Sequence, residues 1–462
     1  MYKTSHSVKE IEEILSRSAH IFFIGVGGVS MSSLAHISLE AGFRVSGSDR
    51  VSSPASDKLI SAGVKVFVGH DARNIQGVDA VVYTAAIPES NPELQAAVAA
   101  GIPLIYRADY LGYIMSRYKT RIGISGMHGK STATSMTTGV FMAANVDPTV
   151  VSGAATPELE GYAYRSGSDD FFIMEACEYC DSFLSFTPNI AVVLNVEMDH
   201  PDYFKDIEQI KDSFRRYISI AAGGYAVVNG DDPLSLEVAR GFDGKVITFG
   251  VREECDYAAG NVDLSDGYPE FDILARGKHL TRIKLGVTGD HNIMNALAAA
   301  AVADICGLSA DSVKLGLESF RGASRRMESR GKIFGKAELF DDYAHHPTEI
   351  KATLKGVLKA AHGAVWCVYQ PHTYTRTAEL FDEFTRSFDG VNVIFSDIYA
   401  AREVNTTGIS SKMLADKVLG SVYIESFEEI AAYLEEKVSD GDTVIVMGAG
   451  DIIKLSDMLV KR

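Results

Sequence analysis

Ile122-Gly123-Ile124-Ser125-Gly126-Met127-His128-Gly129-Lys130-Ser131-Thr132 joins a short β-branched run to two glycines, a Lys-Ser pair and a segment, Ala133 to Ala144, that is predicted to be a helix. This is the layout of a phosphate-binding loop, in which backbone N–H groups and a helix N-terminus surround phosphate oxygens. In such a loop Lys130 reaches the β- and γ-phosphates, and the Ser131 hydroxyl holds Mg²⁺. The stretch therefore predicts a nucleotide-binding domain. The alternative is an ordinary glycine-rich turn between a strand and a helix.

Length and composition set the broad class of the protein. The chain has 462 residues, 46% hydrophobic and 23% charged, which suits roughly three globular domains. A net charge of −17 argues against a nucleic-acid partner, because that surface needs clustered Lys and Arg. The polar N-terminus does not look like a signal peptide, and no apolar run reaches the ~18 residues of a membrane helix. Five cysteines, an odd number, fit a reducing compartment, so a cytoplasmic protein without membrane contact is expected.

Residues 1–119 are predicted to form a Rossmann-like α/β domain. Short apolar runs alternate with helical segments, which implies a parallel sheet with helices on both faces. Gly25 and Gly27 match the first two glycines of a dinucleotide fingerprint. Asp49 follows them at about the sequence spacing of the acidic residue that contacts the ribose in such sites. Ser30 replaces the third glycine. The pattern therefore favours some nucleotide whose phosphates lie on the helix N-terminus over NAD, with a scaffold that binds no ligand as the alternative.

Residues 120–322 are predicted to form the central, ATP-binding domain. Two further strands of this part end in polar residues, and Glu175 and His200 lie at these ends. Because ligands bind beyond the carboxyl ends of parallel strands, both side chains are expected at the same sheet edge as Lys130. They could complete the shell of Mg²⁺ ions that bridge the ATP phosphates. Magnesium prefers oxygen, so an orienting hydrogen bond is the alternative role for His200.

Three other features of the central part have less specific interpretations. Cys177-x-x-Cys180 lacks a second ligand pair for zinc and does not stand where a thioredoxin-type motif does, so no metal or redox role is predicted. Residues 256–286 are predicted to form an antiparallel insertion. Asn292 and Asn295 share one face of an apolar helix and could either cap it or contact a nucleotide.

Residues 323–462 are predicted to form a second ligand-binding α/β domain. Four consecutive predicted strands end in His, Arg, Asp or Gly, in place of the residues that are usual in surface turns. Such ends form the binding cleft of an open α/β sheet, so a cleft is expected there. The four ends are Asp341–His346, Gln370–Arg376, Asp397 and Gly448–Asp451.

The order of these motifs resembles the ATP-dependent Mur ligases of peptidoglycan synthesis over the whole chain. The resemblance implies that L-alanine is joined to the carboxylate of UDP-N-acetylmuramate through an acyl phosphate, the first peptide-adding step. It also implies ATP and Mg²⁺ as cofactors, small-molecule substrates, and a monomer or weak homodimer. The motifs that carry it are Gly25-x-Gly27-Gly28-x-x-Met31-Ser32, Gly126-x-His128-Gly129-Lys130-Ser131-Thr132, Glu175-Ala176-x-Glu178, Asp199-His200, His291-Asn292-x-x-Asn295-Ala296, Ser324-Arg325-Arg326, Asp341-Asp342-Tyr343-x-His345-His346-Pro347 and Gln370-Pro371-His372.

The resemblance assigns residues to each substrate. The first domain would bind the UDP moiety through Gly25, Gly27, Gly28, Met31 and Asp49. The ATP-binding set would be Gly126, Met127, His128, Gly129, Lys130, Ser131, Thr132, Asn292, Asn295, Arg326 and Asp342. Mg²⁺ would be held by Ser131, Glu175 and His200. The catalytic set would be Lys130, Glu175, His200, Arg326 and Asp342. In the C-terminal, amino-acid-binding domain, His346 and Arg376 would lie near the incoming amino acid.

Three other functions remain open from the sequence. A sister enzyme that joins UDP-N-acetylmuramate to a recycled tripeptide shares most of these motifs. A nicotinamide-dependent oxidoreductase is favoured by the first domain alone. A non-catalytic nucleotide-binding module is disfavoured because Lys130, Ser131, Glu175 and His200 occur together.

Overall fold

In the described part of the protein, three β-sheets follow one another along the chain. The computed structural model describes residues 5–156, 159, 161–201, 203–401 and 403–461. Helices alternate with strands in all three parts. The predicted α/β class with three successive sheets is therefore confirmed.

The first sheet is parallel throughout. Its elements are α1 (Val8–Leu15), β1 (His20–Ile24), α2 (Val29–Glu40), β2 (Arg44–Asp49), α3 (Pro54–Ser61), β3 (Lys65–Val68), β4 (Ala80–Tyr83), α4 (Pro92–Ala99), β5 (Leu104–Tyr106) and α5 (Arg107–Ser116). The strand order is β3-β2-β1-β4-β5. All five residues of β1 are buried, as expected for a central parallel strand covered on both faces. The order reverses between β1 and β4, which places the ligand crevice of this sheet beyond β1.

The second sheet contains the phosphate-binding loop at its centre. Its elements are β6 (Thr120–Ser125), α6 (Lys130–Ala143), β7 (Thr149–Thr156), β8 (Tyr162–Arg165), β9 (Phe171–Glu175), β10 (Ile190–Val193), α7 (Ile207–Ile220), β11 (Tyr225–Asn229), α8 (Pro233–Val238), β12 (Lys245–Gly250), β13 (Tyr257–Asp263), β14 (Glu270–Ala275), β15 (Lys278–Lys284), α9 (His291–Ile305) and α10 (Ala310–Ser319). The strand order is β15-β14-β13-β12-β11-β10-β6-β9-β7-β8. The strand order changes direction at β6, because both of its neighbours in the sheet, β9 and β10, come later in the chain. Ligands of open α/β sheets bind at such a position.

Two details of the second sheet differ from the sequence prediction. The antiparallel pairing of residues 256–286 is confirmed by β13, β14 and β15. However, β13 also pairs in parallel with β12, so these strands extend the main sheet. The helix predicted from Ala133 begins three residues earlier, at Lys130. Gly129 stands at its N-cap in the left-handed region (φ 84°), which lets the chain turn directly into the helix.

The third sheet is parallel except at its β16 edge. Its elements are β16 (Glu328–Ile333), β17 (Ala337–Asp342), α11 (Pro347–Ala360), β18 (Val365–Tyr369), α12 (Tyr374–Glu379), α13 (Phe381–Thr385), β19 (Asn392–Phe395), α14 (Ser411–Ala415), β20 (Val422–Tyr423), α15 (Phe427–Lys437), β21 (Thr443–Met447) and α16 (Ile453–Leu459). The order β16-β17-β21-β18-β19-β20 places the carboxyl ends of β17, β21 and β18 side by side. The polar strand ends predicted to form a cleft therefore share one edge.

Close helix packing brings α9 against the phosphate-binding loop. The alanines Ala298–Ala301 are almost completely buried in the core between α9 and the sheet. Small side chains let helices approach closely, and a Cβ added at Gly316 of α10 would lie 2.4 Å from the Cα of Val140 in α6. No helix of the described ranges has the length and apolar character needed to cross a membrane.

Candidate active site

Lys130 lies across the phosphate-binding loop and is paired with a buried carboxylate. Its Nζ donates to the carbonyl oxygens of Gly126 (2.6 Å) and Met127 (3.1 Å). The same Nζ lies 2.9 Å from Oε2 of Glu178. Burial alone would lower the pKa of Lys130, but the negative charge of Glu178 outweighs burial and raises it. The side chain is thus held as a cation at the place where phosphate oxygens would lie.

Glu178 is the residue of this site that sequence reasoning missed. It stands in the Glu175-Ala176-x-Glu178 motif but received no role. Its side chain is fully buried and accepts from Lys130 and from Nε2 of His200 (3.2 Å). Burial opposes ionisation, but the nearby Lys130 and His200 more than compensate and lower the pKa of Glu178. The signal in the sequence was a second carboxylate three residues after Glu175, at the same strand end.

Ser131 and Glu175 lie together, as the magnesium prediction requires. The parallel register pairs Ile124 of β6 with Glu175 of β9, which brings Glu175 to the edge where the loop begins. Ser131 Oγ donates to Glu175 Oε2 at 2.7 Å, and the N–H of Gly153 donates to the same oxygen at 2.8 Å. A hydroxyl and a carboxylate oxygen side by side are the donor types that Mg²⁺ prefers, so this pair fits the ion.

His200 contacts the carboxylate of Glu178 and not that of Glu175, its expected neighbour at the magnesium site. Its backbone is in the left-handed region (φ 53°), and its N–H donates to the Asp199 carboxylate at 2.6 Å. This turn directs the imidazole at Glu178. Lys130 and His200 therefore share one carboxylate, whereas Glu175 pairs with Ser131.

A cavity of about 240 Å³ lies between the central and C-terminal domains, next to the loop. Asn295 donates to Asn292, and Asn292 donates to the carbonyl of Thr288, so both amides are oriented along its wall. The apolar part of the lining comes from Leu194, Val287, Met294 and Phe320. An apolar slot with a few oriented polar groups suits a purine ring. The predicted ATP residues that line this cavity are His128, Gly129, Thr132, Asn292, Asn295, Arg326 and Asp342.

Arg326 and Asp342 face this cavity from the third domain. Asp342 accepts from the N–H groups of Met327 (2.9 Å) and Ala344 (2.8 Å). Burial nevertheless raises the pKa of Asp342 to about 6, although the nearby Arg326 acts in the opposite direction. Arg326 lies 3.6 Å from Oε1 of Glu349, and this carboxylate raises the pKa of the partly buried guanidinium against the effect of burial.

Glu349 and Glu197 are two further carboxylates that the sequence analysis missed. Nδ1 and Nε2 of His128 lie 3.3 Å from Glu349 and 3.0 Å from Glu197, respectively. Burial would lower the pKa of His128, but these two hydrogen bonds outweigh it and raise the pKa to about 9. Glu349 also forms the capping box at the start of α11. The capping-box pattern, with Pro347 at N1 and an acidic residue at N3, was its signal.

The two predicted amino-acid residues have different partners. Arg376 donates from Nε (3.0 Å) and Nη2 (2.8 Å) to one oxygen of Asp199, and both side chains are buried. His346 instead stands beside the phosphate-binding loop, with its ring centroid 4.8 Å from that of His128. The Asp199–Arg376 pair joins the central domain to the C-terminal domain.

The predicted UDP residues surround the N-terminus of α2. Gly25 has φ 83°, and Gly28 caps α2 without any side-chain acceptor, which leaves helix N–H groups for an anionic ligand. The N–H of Gly27, however, already donates to Asp49 Oδ2 at 2.9 Å. The Met31 side chain is 3% exposed and belongs to the core, so its backbone is the part that could meet a ligand.

All five cysteines lie in the described part of the chain, and none of them, Cys177 and Cys180 included, forms a disulfide. Burial raises the pKa of Cys177 to about 12. A thiol with such a pKa is a poor nucleophile and a poor metal ligand at neutral pH.

Gly129 is a position where a side chain should disturb the nucleotide site. A Cβ there would lie 2.6 Å from Oδ1 of Asn295, and the φ of 84° disfavours other residues. In the left-handed region a residue with a Cβ is destabilised by about 1–2 kcal/mol. The loop of Gly129→Ala should therefore shift away from the conformation that binds phosphate, and we expect the ATP affinity to fall about tenfold or more. Gly77→Ala is the matched control, since Gly77 has φ 71° with no atom near its Cβ. Equal ATP affinities of the two variants, measured by calorimetry, would contradict this role.

Acid should weaken the native structure through two partly buried histidines of the C-terminal domain. Burial lowers the pKa of His345 to about 3 and that of His372 to about 4, with Arg376 acting in the same direction on both. Between about pH 6.5 and 4 the unfolded chain binds these protons and the native state does not. Stability therefore falls as the pH decreases, by about 1.4 kcal/mol per pH unit for each group.

Urea unfolding at several pH values tests this expectation. His345→Gln should remove about 1.4 kcal/mol per pH unit from the slope of stability against pH in that window. His362→Gln, at an exposed position of the same domain, is the control and should keep the original slope. An unchanged slope in His345→Gln would contradict the assignment.

Comparison with known proteins relates this geometry to one family. Three family models match consecutive parts of the chain: "Mur ligase family, catalytic domain" residues 20–119, "Mur ligase middle domain" residues 124–303, and "Mur ligase, glutamate ligase domain" residues 325–450. A UDP-N-acetylmuramate–L-alanine ligase of Clostridium novyi is 44% identical over 447 residues, covering 96% of this chain and 97% of the relative.

Two solved structures are similar along nearly the whole chain. The UDP-N-acetylmuramate-alanine ligase of Thermotoga maritima has a TM-score of 0.82 at 27% identity, covering 96% of this chain and 98% of that one. A murein peptide ligase of Psychrobacter arcticus has a TM-score of 0.73 at 21% identity with the same coverage. The second likeness concerns the fold alone.

Proposed function

The chain belongs to the Mur ligase family, and on that basis we propose that it joins L-alanine to the carboxylate of UDP-N-acetylmuramate with consumption of ATP. The observation that carries the proposal is the cavity between the central and C-terminal domains. Oriented amides line one side of it, and His128 and Gly129 of the phosphate-binding loop, directly before Lys130, also line it. Near full-length similarity to UDP-N-acetylmuramate–L-alanine ligases supports the choice of substrates.

Each domain has one substrate in this proposal. Residues 1–119 bind the UDP moiety at the N-terminus of α2, residues 120–322 bind ATP, and residues 323–462 bind the amino acid. The first-turn N–H groups of α2 are the donors for the diphosphate, since α2 has no side-chain cap and the N–H groups of Gly25, Gly27 and Gly28 already donate within the protein. Arg376 and the histidines near it provide the polar surface for L-alanine. All three substrates are small molecules. We also propose that the enzyme is a monomer or weak homodimer, as the family resemblance implies, and that it acts in the cytoplasm.

The reaction has two steps. The muramoyl carboxylate attacks the γ-phosphorus of ATP, an acyl phosphate forms, and ADP leaves. The amine of L-alanine then attacks the acyl carbon, a tetrahedral intermediate collapses, inorganic phosphate leaves, and the amine loses a proton. Lys130 and Arg326 stabilise negative charge on the phosphoryl oxygens, which is the main contribution a protein makes to phosphoryl transfer. When the phosphates bind, their oxygens replace Glu178 as partners of Lys130.

The residues that would hold Mg²⁺ are Ser131 and Glu175, with His200 beside them. The hydroxyl and carboxylate oxygens of the first two provide hard donors. When bound, the ion neutralises charge on the β- and γ-phosphates. The His200 imidazole is held by Glu178, so in this proposal it orients that carboxylate next to Lys130.

Phosphate release with ATP, Mg²⁺ and UDP-N-acetylmuramate tests the proposal. L-alanine is compared with the L-Ala-γ-D-Glu-diaminopimelate tripeptide as the amine. Release with L-alanine is the expected result. Release with the tripeptide alone would identify a recycling ligase instead, and release with neither would overturn the substrate assignment. Unchanged nicotinamide absorbance in the same mixtures excludes the oxidoreductase alternative.

A further inference from the structure

Three side chains from separate elements meet at the boundary between the central and C-terminal domains. They are His128 of the phosphate-binding loop, Glu197 of the loop after β10, and His346 at the N-cap of α11. One donor atom of each lies within 4.8 Å of the other two. His128 Nε2 is 3.0 Å from Glu197 Oε2, and the two imidazole rings are 4.8 Å apart. His128 and Glu197 also line the cavity proposed for ATP, whereas His346 stands behind them at the start of α11.

His346 carries a buried nitrogen that has no partner. The residue is 3% exposed, and its Nε2 makes no hydrogen bond. Its other nitrogen, Nδ1, accepts from the N–H of Thr348 at 3.3 Å. A buried polar atom left unsatisfied costs about 1–3 kcal/mol, so the nitrogen is better explained by a ligand than by packing.

Side chains of α11 orient the other two members of the cluster. Glu349 Oε1 lies 3.3 Å from His128 Nδ1, which keeps a proton on that nitrogen and leaves Nε2 toward the cluster. Thr348 Oγ1 donates to Glu197 Oε1 at 2.7 Å, which leaves Oε2 toward the cluster. A carboxylate on the far nitrogen of a histidine and a hydrogen bond to the far carboxylate oxygen are the usual outer contacts of metal ligands.

We propose that His128, Glu197 and His346 form a site for a divalent transition-metal ion, Zn²⁺, that links the central and C-terminal domains. Two imidazole nitrogens and one carboxylate oxygen form a ligand set that zinc uses, with one position left open. Magnesium prefers oxygen donors, so it suits the Ser131–Glu175 pair, whereas the two imidazoles of this cluster suit zinc. On binding, the Nε2 proton of His128 passes to solvent. His346 binds through Nε2, carries its proton on Nδ1, and gives up the long bond from Thr348.

Cobalt binding to the chelator-treated, substrate-free protein tests the site. We expect one equivalent of Co²⁺ to bind, with visible d–d absorption, no thiolate-to-cobalt charge-transfer band, and displacement by Zn²⁺ but not by excess Mg²⁺. A charge-transfer band would identify a cysteine site and overturn the proposal. Displacement by Mg²⁺ would overturn it as well. Since no substrate is present, the outcome does not depend on the proposed ligase activity.

Variants locate the ion within the protein. His346→Ala and Glu197→Gln remove donors and should reduce the Co²⁺ affinity by more than about 100-fold, while Thr348→Val removes an outer contact and should reduce it about 10-fold or more. His279→Ala is the matched control. His279 is an exposed histidine 3.5 Å from Asp272, and its loss should not change the affinity. Circular dichroism checks that each variant is folded, and an unchanged affinity in folded His346→Ala and Thr348→Val would refute the site.

Discussion

Lys130→Ala is expected to abolish ATP turnover, with kcat reduced by about three orders of magnitude or more. Lys130 is the largely buried cation of the phosphate-binding loop. Its Nζ donates hydrogen bonds to two loop carbonyls and forms an ion pair with Glu178. Without it, the buried carboxylate of Glu178 would face the phosphates with His200 as its remaining partner. Repulsion would then be added to the loss of phosphoryl stabilisation. The measurement is phosphate release with all substrates at saturation.

Lys119→Ala is the matched control for this change. Lys119 stands just before β6, the strand that leads into the same loop, and pairs on the surface with Asp170. An exposed pair of this kind contributes about 0–1 kcal/mol at most, so turnover should be unchanged. If Lys130→Ala kept the turnover of the Lys119→Ala variant, the active site would have to lie elsewhere.

Arg376→Ala and Asp199→Asn are each expected to open the contact between the central and C-terminal domains and to lower kcat/KM by about 100- to 1000-fold. The two side chains are 6% and 3% exposed. Removing one partner of a buried pair leaves an uncompensated charge, at a cost of about 3–5 kcal/mol. The domains can relieve that cost by separating, which opens the cavity between them. Small-angle X-ray scattering measures the separation, and phosphate release measures the activity.

A paired replacement distinguishes the bridge from the amino-acid site. Asp199→Leu combined with Arg376→Leu leaves no buried charge, so the closed arrangement should recover while L-alanine binding does not. Arg282→Ala is the control, because both of its carboxylate partners, Glu270 and Asp272, belong to β14 of the central sheet. If the single changes left the scattering profile unaltered, the bridge would not hold the domains together.

Local patterns in the sequence were sufficient for the fold and for part of the site. The phosphate-binding loop is encoded within eleven residues. Its glycines and the start of the following helix form a phosphate site from the local backbone, without contacts from distant parts of the chain. The alternation of apolar runs and helical segments likewise predicted parallel sheets. Since ligands bind at the carboxyl ends of such strands, the polar residues there predicted the edge at which Lys130, Glu175 and His200 lie.

The tertiary structure alone decided which of these residues contact one another. Glu178 takes Lys130 and His200 as partners, Glu349 meets His128 across a domain boundary, and Arg376 finds Asp199 at a separation of 177 residues. No local period or spacing encodes such pairs, because they depend on the register of neighbouring strands and on how two domains close on each other. The sequence thus determined the chemistry available at each strand end, and the packing of the domains determined the partners of each charge.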